Sequence, residues 1–262
     1  MREVDDALAR AYSQHPRASG DRPATGAVPV VPPAPHVVPR RQPRPAPRVE
    51  EAYVSWPALV RMLDESYGER FERLADALTH ARDRHHLKLL LFTSGHRAEG
   101  RTTLVLTLAR VLARRPGRTL VVDADLAGPM IARQLGLKTA VGLDDVILKG
   151  SALSDALVEA AGENLTFLSL REPVTSPRAF VAGSAWSCTM ARLRREFDLV
   201  LIDGGPIFSG LGATSTHRAV DAAVLVHNRA VTTPRALERA RTVLERDGVP
   251  LLGLAETFVP GS

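Results

Sequence analysis

Apolar positions along the chain fall into three regimes. In residues 1–14, MREVDDALARAYSQ, Val4, Ala7, Leu8 and Ala11 recur at helical spacing and predict a short amphipathic helix, too short to be stable alone. From His15 to about Glu50 large apolar side chains nearly vanish, and proline stands at 16, 23, 29, 32, 33, 35, 39, 43, 45 and 47. Each proline removes a donor and biases its predecessor away from helix, so residues 15–50 read as an extended, unpacked linker. Order is expected to resume near Tyr53, giving one domain over residues 51–262. There Leu59, Leu63, Phe71, Leu74 and Leu78 predict a helix from Trp56 to Arg84.

Beyond it, apolar runs alternate with amphipathic segments. Strands are predicted at 87–93, 119–123, 164–170, 198–203, 222–227 and 250–255, with helices at about 102–114, 128–135, 142–148, 152–161, 177–195 and 234–246. Thr233 before Pro234 reads as a cap followed by a first-turn proline, and Gly248 as the stop. Apolar strands separated by helices predict an α/β domain whose mostly parallel sheet is buried on both faces.

Composition narrows the setting. The 262 residues carry 34 Lys+Arg against 29 Asp+Glu, and their one cysteine, Cys188, excludes a disulfide framework and reads as a small core residue. No apolar run is long enough to cross a bilayer, and the acidic N-terminus is unlike a signal peptide, so a cytoplasmic location is expected. The basic side chains are almost all arginine, the lysines being Lys88, Lys138 and Lys149. Arg40, Arg41, Arg44 and Arg48 sit among prolines without aromatic residues, a pattern that disfavours nucleic acid as a partner.

The richest segment is LKLLLFTSGHRAEGRTTLVLTLARVL, residues 87–112. A buried-type strand runs into a glycine-bearing loop, and a helix follows. Gly95, Gly100, Arg101 and Thr102 fit G-x-x-x-x-G-[K/R]-[S/T], with arginine for lysine. Backbone amides of such a loop curl round a phosphate while the helix N-terminus adds partial positive charge. Arg101 would supply the side-chain cation and Thr102 a hydroxyl for Mg²⁺. Asp123 and Asp125 close one apolar strand and Asp203 another. Carboxylates at such strand ends open into the crevice where parallel sheets bind ligands, and can orient a metal or accept a proton. Histidines 80, 85 and 86 read as surface residues, His96 as a loop residue either exposed or approaching a phosphate, and Ser209, His217 and Asp221 lack the nucleophile elbow of a hydrolase.

These segments resemble the bacterial tyrosine kinases (BY-kinases) of capsule and exopolysaccharide systems. FTSGHRAEGRTT is similar to their Walker A loop, TS-x-x-P-G-E-G-K-[ST]-T. VVDADLAGPMIARQLGL is similar to their second Asp motif, and FDLVLIDGGPIF to their Walker B. VGLDDVILKGSALSDAL and SPRAFV match two further family segments, and RAVDAAVLVHNRAVTT and LLGLAETF the region of the last two strands, so the resemblance spans about residues 53–258. MREVDDALARA is similar to the opening of autokinases from exosortase-linked polysaccharide operons. The family sits among the MinD/ParA-like P-loop ATPases. The resemblance therefore implies an ATP site made by Gly95, Ala98, Glu99, Gly100, Arg101, Thr102 and Thr103. It also implies Mg²⁺ on Thr102 and Asp203, chemistry by Arg101 with Asp123 or Asp125 as base, and a role in exopolysaccharide synthesis or export. A membrane chain-length-determinant protein, on a separate chain, would be the activating partner, and a homo-oligomer is a further expectation.

The departures matter as much. Arg101 replaces the Walker lysine, Ala98 a glycine, Ala127 an arginine, Gly204-Gly205 a Thr-Pro pair, and Thr257 an adenine-holding asparagine. Gly68 interrupts the oligomerising E-x-x-R-x-x-R pattern. The tyrosines are Tyr12, Tyr53 and Tyr67, so the family's C-terminal tyrosine cluster has no counterpart and tail autophosphorylation is not expected. Two alternatives therefore stand beside the kinase: a MinD/ParA-like ATPase switch, and a non-catalytic scaffold.

Overall fold

A computed structural model describes residues 49–208 and 219–258. The expected N-terminal helix, the linker up to residue 48, and Ser209 and His217 lie outside the described residues. The described chain forms an eight-stranded sheet in the order β1-β4-β5-β3-β6-β2-β7-β8. Its strands are β1 (Glu50–Ala52), β2 (Leu89–Ser94), β3 (Thr119–Ala124), β4 (Leu157–Ala160), β5 (Leu165–Leu168), β6 (Leu199–Pro206), β7 (Ala222–His227) and β8 (Leu251–Glu256). From β5 to β8 every pairing is parallel, whereas β4 runs antiparallel to β5 and carries β1 at the edge. This is the mostly parallel α/β sheet that the alternating pattern predicts.

Helices cover both faces because successive residues of each central strand point to opposite sides. Leu90 and Phe92 pack with α1 (Ala58–His85) and α2 (Arg101–Ala113), joined by Ile131 and Leu135 of α3 (Ile131–Leu135). Leu89 and Leu91 pack with the other face. That face is covered by α4 (Leu143–Lys149), α5 (Leu153–Ala156), α6 (Pro177–Ala182), α7 (Ser184–Glu196) and α8 (Pro234–Arg246). Among the described residues no helix is long and apolar enough to cross a membrane.

Three local readings are corrected. The helix expected over 152–161 stops at Ala156, and residues 157–160 instead pair with β5 and β1. A four-residue segment, LVEA, is too short to show a period of its own, and sheet pairing decides it. The helix expected over 177–195 breaks at Gly183, which is extended (φ −71°, ψ 153°). Cys188 is exposed, not core: Trp186, Thr189, Met190 and Leu193 make the buried stripe of α7, and position 188 falls outside it.

Candidate phosphate-binding site

β6 lies between β2 and β3, and its register places Asp203 beside Asp123 on one side and Phe92 on the other. The loop after β2, the turn after β3 and the end of β6 therefore meet on one rim. Sequence positions about a hundred apart become neighbours through this register. His96, Arg97 and Ala98 are exposed on the loop, while Ser94, Gly95 and Glu99 are buried.

Residues Ala98, Glu99, Gly100, Arg101, Thr102 and Thr103 line a hollow of about 150 Å³. It opens over the N-terminus of α2, where Gly100 (φ 77°) is the cap and no side chain bonds the first turn. First-turn amides have no acceptor within their own helix, so those of Arg101, Thr102 and Thr103 are donors aimed at this hollow. Ala98 holds φ 62°, a left-handed conformation that a residue with a Cβ adopts at a cost of about 1 kcal/mol. The loop thus keeps a glycine-type bend without the glycine.

Glu99 turns away from the hollow. Its Oε2 accepts the His96 amide at 2.6 Å, and its Oε1 accepts the Asn228 amide at 3.3 Å and the Thr232 hydroxyl. Thr257 adds a second brace, donating to the Glu99 carbonyl at 2.7 Å. The carboxylate of Glu99 therefore fixes the loop to the end of β7. Thr232 and Asn228 lie far from the loop in sequence, and only the tertiary arrangement brings them to it.

Arg101 is the largest departure from the expected geometry. Its side chain is 8 % exposed and each of its three nitrogens donates to a protein group. Nε donates to Asp203 Oδ1 at 2.7 Å, Nη2 to Asp125 Oδ2 at 3.0 Å and Nη1 to Ser94 Oγ at 3.0 Å. Thr102 Oγ1 donates to the other Asp203 oxygen, Oδ2, at 2.7 Å. Arg97 reaches Asp125 from the open side, both terminal nitrogens at 3.3 Å from its carboxylate oxygens. Losing one member of such a buried ion cluster typically costs about 3–5 kcal/mol, because the remaining charge is left uncompensated.

The three aspartates are thus near one another but differently engaged. Asp123 accepts backbone amides of Asp125 at 3.2 Å and of Met130 and Ile131 at 2.9 Å, and so holds the start of α3. Burial, and then the neighbouring Asp203 charge, push its carboxyl up to about 7. Burial also raises Asp203, against the opposing pull of Arg101 and Thr102. Asp125 has ion pairs to two guanidinium groups and accepts the Ala127 amide at 3.3 Å.

The residues present fit a phosphate: an uncapped helix start, a hollow and converging amides. A divalent ion on Thr102 and Asp203 would share Asp203 with the Arg101 guanidinium, which already holds its Oδ1. Among the described residues no three His, Cys, Asp or Glu side chains are grouped to hold a metal.

No protein-family model matches the chain. It is 26 % identical over 192 residues to a putative tyrosine-protein kinase, CapB, of Staphylococcus aureus, covering 73 % of this chain and 84 % of that one. It is 29 % identical over 168 residues to the tyrosine-protein kinase YwqD of Bacillus subtilis, covering 64 % and 70 %. Among solved structures, the chimerical protein CapA2B2 superposes with a TM-score of 0.71 at 20 % identity, over 82 % of this chain and 95 % of that one. MinD of Pyrococcus horikoshii, solved with Mg-ADP, gives 0.55 at 24 % identity over 64 % and 68 %. The chain is thus similar in sequence to bacterial tyrosine kinases, has the fold of the MinD/ParA-like P-loop ATPases, and departs from the kinase pattern in the loop after β2.

Proposed function

We propose that the chain binds ATP through the loop Gly95–Thr103 and acts as an ATP-dependent regulator of exopolysaccharide or capsule synthesis and export. The observation that carries this reading is the hollow walled by Ala98–Thr103 at an uncapped helix start. Amides of residues 98–103 would receive the β- and γ-phosphates, with the helix N-terminus favouring their charge. Magnesium, if admitted, would be held by Thr102 and Asp203. The kinship with tyrosine kinases supports a membrane chain-length-determinant-type protein as activating partner, on its own chain, with this chain working at the cytoplasmic side.

Asp123 and Asp125 are the residues proposed to accept a proton from a substrate hydroxyl. Both are engaged, Asp123 by amides and Asp125 by guanidinium groups, so such transfer needs rearrangement. The seating of Arg101 on Asp203 and Asp125 favours a second reading, a nucleotide-binding scaffold with little turnover.

Filter binding or calorimetry should register ATP affinity, weakened in Thr102→Ala; no affinity in either protein contradicts the proposal. Incubation with γ-labelled ATP then divides the readings. Label retained on protein supports a kinase, label released as phosphate supports an ATPase switch, and turnover equal to that of Asp203→Ala supports the scaffold.

A further inference from the structure

We propose that Arg101, held by Asp203 and Asp125, is the resident cation of the acidic centre, so that nucleotide enters this loop without an accompanying metal. The inference rests on the nucleotide-binding reading and concerns the form in which the nucleotide is taken.

The seating of the guanidinium is the first support. Nε, Nη1 and Nη2 each donate to a different partner, and the group is buried. A lysine ammonium is a point charge on a flexible stem that can swing to a phosphate. The planar fork of arginine instead matches two carboxylates at once and is fixed by them. Thr102 donates its hydroxyl proton to the other oxygen, Asp203 Oδ2, so both oxygens of Asp203 have protein partners.

Charge is the second. Asp203 and Asp125 are matched by Arg101 and Arg97 before any ion arrives. Asp123 accepts three backbone amides and pairs with no cationic side chain. A divalent ion would therefore share Asp203 and Asp125 with guanidinium groups and not occupy an open acidic site. The charge of the incoming phosphates falls to the amides of the loop, the helix N-terminus and Arg97, whose side chain is 54 % exposed at the mouth.

The test is equilibrium binding of a fluorescent ATP analogue to the full chain, in excess EDTA and in excess MgCl₂. The expected result is the same affinity in both, within about twofold. A wild-type affinity that falls about tenfold or more in EDTA overturns the proposal while leaving ATP binding intact. No binding under either condition overturns both. Arg101→Lys, whose head cannot bridge the two aspartates as a fork, should bind in MgCl₂ and lose about tenfold or more in EDTA. An Arg101→Lys protein as indifferent to Mg²⁺ as the wild type removes Arg101 from the role. If that variant does not fold, the wild-type comparison decides alone.

Discussion

Gly204 stands where the related kinases carry a hydroxyl residue, and the surroundings explain the difference. A Cβ at this position would lie 2.6 Å from Leu91 Cδ1 and 3.3 Å from the Phe92 carbonyl oxygen. Leu91 is 1 % exposed and has little room to turn aside. Gly204→Thr should therefore destabilise the fold by about 1–3 kcal/mol, measured by urea unfolding, as overpacking does. Unchanged stability would mean that the rim is looser than this packing requires. Asp123 gives a prediction with a sign. Its carboxyl, raised from 3.8 to about 7, binds its proton more tightly in the folded than in the unfolded chain. Its favourable contribution is thus full below the unfolded value and lost as pH rises through the folded one. Asp123→Asn cannot ionise, so the stability of the wild type relative to this variant should fall between about pH 4 and about pH 7. A difference that stays constant across that range contradicts the assignment.

At the scale of elements, α8 shows how far local chemistry reaches. Thr233 Oγ1 accepts the Ala236 amide at 3.2 Å, and Pro234 opens the first turn. This helix was legible to the residue because cap, proline and terminal glycine all lie within its own sequence. Thr233→Ala should cost about 1 kcal/mol in chemical unfolding. An effect near zero would show the cap to be redundant. Residues 157–160 are the opposite case. LVEA follows a short helix and has no alternation strong enough to mark a strand, and its state is set by β5 and β1 on either side. β1 itself has three residues and sits against a proline-rich stretch, so nothing in its own pattern separates it from linker. The break at Gly183 belongs to the same class, since a single glycine inside a helical pattern marks a break only when packing uses it.

The whole molecule places the loop, the Asp123 turn and the Asp203 strand on one rim, and these were readable because each closes an apolar strand. What those side chains touch was not readable. Arg101 meets Asp203 and Asp125 only because β6 inserts between β2 and β3, a register that no local spacing encodes. The cation expected to reach a phosphate is instead buried against these two carboxylates. Fold and site thus divide: periodicity and strand ends reveal where a ligand would lie, and long-range pairing decides which charges remain for it.

The central claim is that the amides of Ala98–Thr103 receive the phosphates, and the most direct measurement is an amide-resolved NMR titration of the ¹⁵N-labelled chain with ATP. The account predicts that the largest saturable shifts fall on Ala98, Gly100, Arg101, Thr102 and Thr103, with AMP producing much smaller ones. Shifts centred instead on the hollow of about 220 Å³ beside Arg110, Arg114 and Glu163, or none at saturating ATP, would contradict it.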